Sequence, residues 1–344
     1  MKKNRGAGKY RWLSLGTGIG ILALLVYFAG FERFIGVIRR ASPGLMAAAV
    51  LVYASSWIFR TWRLKQLTRP SGINLRVFDL FKYHISGYAL NSFLPAKLGD
   101  AATVVYLKLG GINLGRAVAI IFQTRILDLL AIVLLSTPAV ILVLGRSAPG
   151  WIVTTFIFSA LIVAAPLVMV ALDRKRYTVR IFERLGKKSG NRMFQLAAEK
   201  AGDTYQGYHE IVSDPLLLAG SILLSLWAWG VEGSAGFVVS RAVGAQVSFL
   251  PVILAVAIGN IGKAAPATPG SVGIYESIFA AVLVLFGVSL EVAIAVAILD
   301  HLLKKLFNVT IGGLATLRIG ISLDQIREMI DDQTLPPGTG NPSG

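Results

Sequence analysis

Apolar residues fall along this chain in runs long enough to cross a bilayer core of about 30 Å, which takes about 20 helical residues. The clearest are Trp12 to Ala29, Ala117 to Leu144, Trp151 to Leu172 and Pro215 to Val239. The pattern predicts six transmembrane helices, at 12–30, 43–60, 117–144, 151–172, 215–240 and 291–316. Between them lie two apolar stretches, 79–107 and 249–287, that Pro and Gly interrupt. Each reads as a re-entrant hairpin or a pair of short tilted helices that enters and leaves on one side.

The interrupted stretches echo each other. The first holds Asn91-Ser-Phe-Leu-Pro95-Ala96-Lys97-Leu98-Gly99-Asp100, the second Asn260-Ile-Gly-Lys263-Ala-Ala-Pro266-Ala267-Thr268-Pro269-Gly270-Ser271. Both contain P-A-x-x-G followed by a residue able to cap a helix, Asp100 or Ser271. Three crossings separate them, and an odd number turns the second copy over. The chain therefore reads as an all-α polytopic membrane protein of two inverted repeats, 12–144 and 151–316, each with three transmembrane helices and one broken hairpin. Inverted repeats whose broken helices meet near the midplane are common among alternating-access transporters.

Composition agrees with a membrane domain at 12–316: 55% of the 344 residues are apolar, 15% are charged, and mean hydropathy is +0.67. The net charge of +16 falls mostly on one side. With the N-terminus cytoplasmic, segments 1–11, 60–82, 108–116, 173–214 and 317–344 carry 24 Lys and Arg, and the outside segments 31–42, 145–150 and 241–248 carry five. That asymmetry follows the positive-inside rule and places both termini in the cytoplasm of a cell-membrane protein. Arg33, Arg39 and Arg40 go against it. The charge is accounted for by topology and anionic headgroups rather than by nucleic acid. The basic 1–11 segment reads as part of a retained signal anchor, the loop 173–214 as a solvated helical segment, and the tail 317–344 as partly disordered. Cysteine is absent, so disulfides and thiolate metal sites are excluded.

The charges left at membrane depth are Lys97, Arg125, Lys263, Lys304 and Lys305 against Asp100, Asp128, Glu232, Glu276 and Asp300. Each costs about 2.5 to 3.5 kcal/mol at a helix centre, so they are expected to face a cavity or one another. Spacing pairs Arg125 with Asp128 and Asp300 with Lys304, and the hairpins pair Lys97 with Asp100 and Lys263 with Glu276. Lys97 and Lys263, beside helix breaks, suit a phosphate. His84 reads as a structural residue. Gly16-Thr-Gly18-Ile-Gly20 lies in an apolar run without a preceding strand and is no nucleotide fingerprint. There is no H-E-x-x-H and no G-x-S-x-G, so no catalytic residue, metal or cofactor is expected.

At Asn91 to Pro95, Gly99-Asp100, Arg125-Ile-Leu-Asp128 and Pro266-Ala-Thr-Pro269-Gly270 through Gly273-Ile-Tyr-Glu276, the chain resembles the flippase-like family related to the transmembrane region of lysylphosphatidylglycerol synthases. It departs at Asp100, where Glu is expected, at Thr103, where a base is common, and at Ser271, where a second Gly is usual. The resemblance implies a lipid-translocating module without the synthase domain, since the chain ends soon after the sixth span. The expected substrate is an anionic lipid, an aminoacylated phosphatidylglycerol or a polyprenyl-phosphate carrier, moved between leaflets by alternating access. Its substrate site would comprise Asn91, Pro95, Lys97, Gly99, Asp100, Arg125, Asp128, Asn260, Lys263, Pro266, Pro269, Gly270, Gly273, Glu276, Asp300 and Lys304. The other expected partners are the bilayer and a lipid-synthesising or glycosyl-transferring enzyme. A transporter of a small soluble anion and a membrane scaffold for a lipid-modifying enzyme are the alternatives.

Overall fold

The computed structural model describes residues 19–93, 98–173, 177–188, 191–263 and 268–319. All of its regular elements are helical. A short helix α1 (Ile19–Ala29) turns by 92° into the amphipathic α2 (Phe31–Arg39). The segment expected to be an outside loop, 31–42, is thus mostly helix, with Phe34 buried and Arg33, Arg39 and Arg40 exposed.

The remaining helices are α3 (Pro43–Thr68), α4 (Val77–Asn91), α5 (Leu98–Leu109), α6 (Leu114–Pro138), α7 (Gly150–Leu172), α8 (Tyr177–Lys188), α9 (Arg192–Val212), α10 (Pro215–Ala242), α11 (Phe249–Gly262), α12 (Ile274–Leu285) and α13 (Leu290–Ile319). Among the described residues four segments, Pro43–Ser71, Leu114–Leu142, Gly150–Leu172 and Pro215–Ala242, are long and apolar enough to cross a membrane, and the bent pair α1 and α2, counted as one broken span, brings the number to five. The expected span at 291–316 is one continuous 30-residue helix. Asp300, His301, Lys304 and Asn308, all buried, keep it less apolar than the others. Apolar side chains crowd the outer surface, as on α7, where Ile157, Phe158, Leu161 and Leu172 are exposed. A surface of that kind requires acyl chains rather than water, and the protein is a multi-pass membrane protein.

Capping fixes where the two central helices start. Proline stands first in α3 and α10, where its missing N–H costs nothing. The preceding Ser42 accepts from the Leu45 amide at 3.4 Å, and Asp214 accepts from those of Leu216 and Leu217 at 3.0 Å each. The two helices pack along their length in opposite directions. Ser42 donates its amide to the Ala242 carbonyl at 2.8 Å, Arg63 reaches Ser225 at 2.9 Å, and Ser221 reaches Gln66 at 3.3 Å.

Both interrupted stretches are helical pairs. Helices α4 and α5, of 15 and 12 residues, are each too short to cross the core alone at 1.5 Å per residue. They pack antiparallel, backbone against backbone. A β-carbon at Gly99 would strike the Gly87 carbonyl, and Tyr83 stacks on Tyr106. The second pair, α11 and α12, closes on Gly259 and Gly262, which seat the Tyr275 ring and the Ile278 side chain.

Just past α7, Asp173 bonds to the first residues of α8 and to α9. It accepts from the amides of Tyr177 and Thr178 at 2.6 and 3.1 Å and from the Tyr205 hydroxyl at 2.8 Å. Partial desolvation pushes its carboxyl up, but the bonds from Thr178, Tyr205 and Tyr177 outweigh this and hold it down at about 2.

Candidate functional site

The centre of the bundle is built from charges. In α3 the helix runs on past Trp57, so Arg60 and Arg63 sit inside the protein, 1% and 0% exposed. Arg60 pairs with Glu232 of α10 at 2.5 Å and stands 3.9 Å from Asp128 of α6. Arg63 takes the same oxygen of Asp128 at 2.6 Å, and the Trp229 indole donates to it at 2.8 Å. On the far side Glu232 meets Lys304 of α13 at 3.4 Å, and Lys304 meets Asp300 at 2.9 Å. Aromatic faces support the guanidinium of Arg60, at 4.9 Å from the Trp229 ring centre and 5.7 Å from that of Tyr88.

These contacts fall at matched helix positions. Arg60 is the eighteenth residue of α3 and Glu232 the eighteenth of α10, and Trp57 and Trp229 are each the fifteenth. Asp128 and Lys304 are each the fifteenth residue of α6 and α13. Lys304, Glu232, Arg60 and Asp128 therefore form a row whose positions mirror about its middle while its charges alternate. One bond fails to repeat. The Trp57 indole nitrogen, unlike that of Trp229, has no partner among the described residues. The residue at the matching place is Lys304, a cation that accepts nothing.

A second pair of matched contacts lies nearer the helix breaks. Asp100, third in α5, takes the guanidinium of Arg125, twelfth in α6, in a two-pronged bond, one arm at 2.8 Å. Glu276, third in α12, meets His301, twelfth in α13, at 2.6 Å. Glu276 also accepts from the Gly273 amide at 2.8 Å, starting α12. Asn91 braces the first pair, donating to Asp100 at 2.9 Å and accepting from the Gly99 amide at 2.8 Å. Asn260 turns back to the Val256 carbonyl at 2.7 Å.

Two expectations from the sequence change here. Ser271 does not cap α12. It sits in a tight turn after Gly270, both with φ of 58°, and Gly273 is the residue before the helix. By helix position Asp100 matches Glu276, each the third residue of its helix, so the P-A-x-x-G echo is out of register with the helices. Lys263 does not turn to Glu276, whose oxygens are held by His301 and Gly273. Its ammonium lies 3.9 Å over the Tyr275 ring centre, and Tyr275 donates to Asp300 at 2.6 Å.

The expected pairs Arg125 with Asp128, at 3.2 Å, and Asp300 with Lys304 are both formed. Pro95, Lys97 and Pro266 lie outside the described residues, and Pro269 is described in its backbone alone. His84 is buried edge-on against Trp57 and Tyr88, and neither ring nitrogen has a partner among the described residues.

Lys263 and Lys305 differ from the other central cations. Both are half-buried, and among the described residues neither has a carboxylate within ion-pair distance, whereas Arg60, Arg63, Arg125 and Lys304 each have one. Lys305 stands where the two helix breaks meet. A β-carbon at Gly270 would fall onto its ammonium and onto the Ser92 carbonyl of the first hairpin.

Comparison with known proteins places these helices among relatives. A UPF0104 membrane protein of Pyrococcus horikoshii is 24% identical over 90% of this chain and 97% of its own length. Another, from Archaeoglobus fulgidus, is 25% identical over 76% of this chain and 82% of its own. The glycosyltransferase AglD of Haloferax volcanii is 27% identical over 88% of this chain, which spans 53% of that protein. Residues 11–312 match the family described as the lysylphosphatidylglycerol synthase transmembrane region, and the chain belongs to that family.

Proposed function

We propose that this protein moves an anionic lipid between leaflets, with Lys263 and Lys305 holding the headgroup phosphate. The observation that carries the reading is the pair of half-buried lysines without carboxylate partners among the described residues, Lys305 at the meeting point of the two helix breaks and Lys263 at the end of α11 over the Tyr275 ring. An unpaired ammonium at membrane depth costs about 2.5 to 3.5 kcal/mol, and a bound phosphate offsets that cost. Lys97 adds a third cation on the ground of its place in the sequence. Arg125 and Lys304 are already paired with carboxylates and serve as the frame of the site. The acyl chains would trail along the apolar flank.

Alternating access follows from two inverted halves, 12–144 and 151–316, with the hairpins entering from opposite faces. Supporting this are α3 and α10, which pack in opposite directions with capping Pro, Trp and charge at equal positions. An in-plane two-fold axis relates equivalent helices in that way. The positive-inside asymmetry supports cytoplasmic termini in the cell membrane. The matching family's description names a lipid synthase and one relative's name a glycosyltransferase, so phospholipids and polyprenyl phosphates are the substrates to try, each next to the enzyme that makes or uses it.

The test is transbilayer movement of spin-labelled lipids in liposomes holding the purified protein. Anionic phospholipid or polyprenyl phosphate should cross at least about tenfold faster than in empty liposomes, and zwitterionic lipid no faster. Equal rates for all lipids with and without protein would overturn the proposal.

A further inference from the structure

The third-and-twelfth contact is made twice, but with different chemistry. In the first half a carboxylate meets Arg125, a base that keeps its proton at any physiological pH. In the second half a carboxylate meets His301, a side chain that, unlike arginine, can exist neutral or protonated. We propose that the Glu276 and His301 pair is a proton site linked to the neighbouring anion site, so that binding of a phosphate at Lys263 and Lys305 draws one proton onto His301. The inference rests on the anion site proposed above and adds the ion that drives it.

The surroundings of the pair explain the linkage. His301 is 3% and Glu276 4% exposed, and their heavy atoms are 2.6 Å apart. The Tyr275 ring lies 4.6 Å from the imidazole, centre to centre, at a tilt of 45°. The same Tyr275 ring carries Lys263 on its face and bonds Asp300 through its hydroxyl. The charged and titratable groups around the pair are Lys263 on α11, Tyr275 on α12, Asp300, Lys304 and Lys305 on α13, and Glu232 on α10. Where α3 and α4 meet α13 they contribute Tyr53, at Asn308, and Ser86 and Ile85, at Gly312, further along the helix. The apolar α2 face adds Phe34 to the same core.

Of these, Lys304 is tied to Glu232 and Asp300. Lys263 and Lys305 are the cations that face the imidazole without carboxylates of their own among the described residues, and they oppose a further positive charge on it. An anion between them removes that opposition. The balance is simple. A proton from the aqueous phase bonds to an imidazole nitrogen of His301, and the pair passes from a carboxylate beside neutral imidazole to a carboxylate beside imidazolium. No other bond changes. Linkage then requires reciprocity: protonation must tighten anion binding by the same factor as anion binding favours protonation. A headgroup crossing with its proton moves one charge fewer across the membrane than the anion alone.

The experiment is proton uptake by the purified wild-type protein in detergent, weakly buffered at pH 7 with an indicator dye. The added probe is either a short-chain phosphatidylglycerol or dimethyl phosphate, a soluble phosphodiester that likewise holds no proton at pH 7, with binding followed in parallel by calorimetry. The expected result is uptake of about 0.5 to 1 proton per bound phosphatidylglycerol. Glu276→Gln and His301→Arg, the second restoring the residue type of the first half, should bind with uptake below about 0.1. Binding of phosphatidylglycerol without proton uptake by the wild type overturns this inference and leaves the lipid reading standing. Uptake with dimethyl phosphate alone upholds the proton site and overturns the lipid as its source. Binding of neither probe overturns both.

Discussion

In the central charge row two pairs of matched positions carry opposite signs, Arg60 against Glu232 and Asp128 against Lys304, while the outer neighbours Arg63 and Asp300 have no matched charge. On the α6 side one carboxylate, Asp128, lies between two arginines of α3, and on the α13 side one ammonium, Lys304, lies between Glu232 and Asp300. A charge at membrane depth needs a partner, but the partner's sign is free as long as the neighbours alternate. The helix positions are therefore the shared geometry of the two sides, and the identity of each charge is set by the next one along the row.

That comparison breaks most sharply under a charge swap. Arg60→Glu with Glu232→Arg keeps the pair but places a second carboxylate beside Asp128 and a guanidinium beside Lys304. An isolated buried pair would survive the exchange. Here the double variant should fail to accumulate as folded protein, as judged by gel filtration in mild detergent. Removing one partner is the next largest effect. Glu232→Ala leaves Arg60 without its closest carboxylate and should destabilise by about 3 to 5 kcal/mol in denaturant unfolding, while Arg60→Met with Glu232→Met should cost less than about 2 kcal/mol. If the double Met variant loses as much as Glu232→Ala, the row is not a chain of compensating charges.

The smallest effect lies outside the membrane, at the Asp173 clasp. Its carboxyl is held at about 2, below the ordinary value of about 3.9. Its contribution is therefore present above about pH 4 and is lost as pH falls towards 2. Pepsin should cut within 177–188 faster in Asp173→Asn than in wild type at pH 4.5, and the two should converge at pH 2. A constant difference across that range would rule the carboxylate out as the cause.

Four of the spans, the helical pairs at the two interrupted stretches and the i,i+3 and i,i+4 ion pairs were legible in the sequence, because apolar runs and helical spacing are local. The α3 arginines were not. Reading charge as the end of a span stopped that helix at residue 60, whereas it continues to Thr68 and carries Arg60 and Arg63 into the core. The signal was present in another form. Counted from the capping Pro43 and Pro215, both helices place Trp fifteenth and a charge eighteenth. His301 was missed because its partner Glu276 lies 25 residues away on another helix, and spacing alone does not join them. The P-A-x-x-G echo marked both helical pairs but in the wrong register, since the second break takes a turn at Pro269–Ser271 before its helix starts.

The central claim is that Lys263 and Lys305, and not the paired cations, hold the substrate phosphate. The direct measurement is the rate of anionic-lipid movement in liposomes for Lys263→Ala with Lys305→Ala, alongside its unfolding midpoint. Movement at least about tenfold slower than wild type, with an unfolding midpoint unchanged or raised, is the predicted result. Wild-type movement by that double variant would contradict the account.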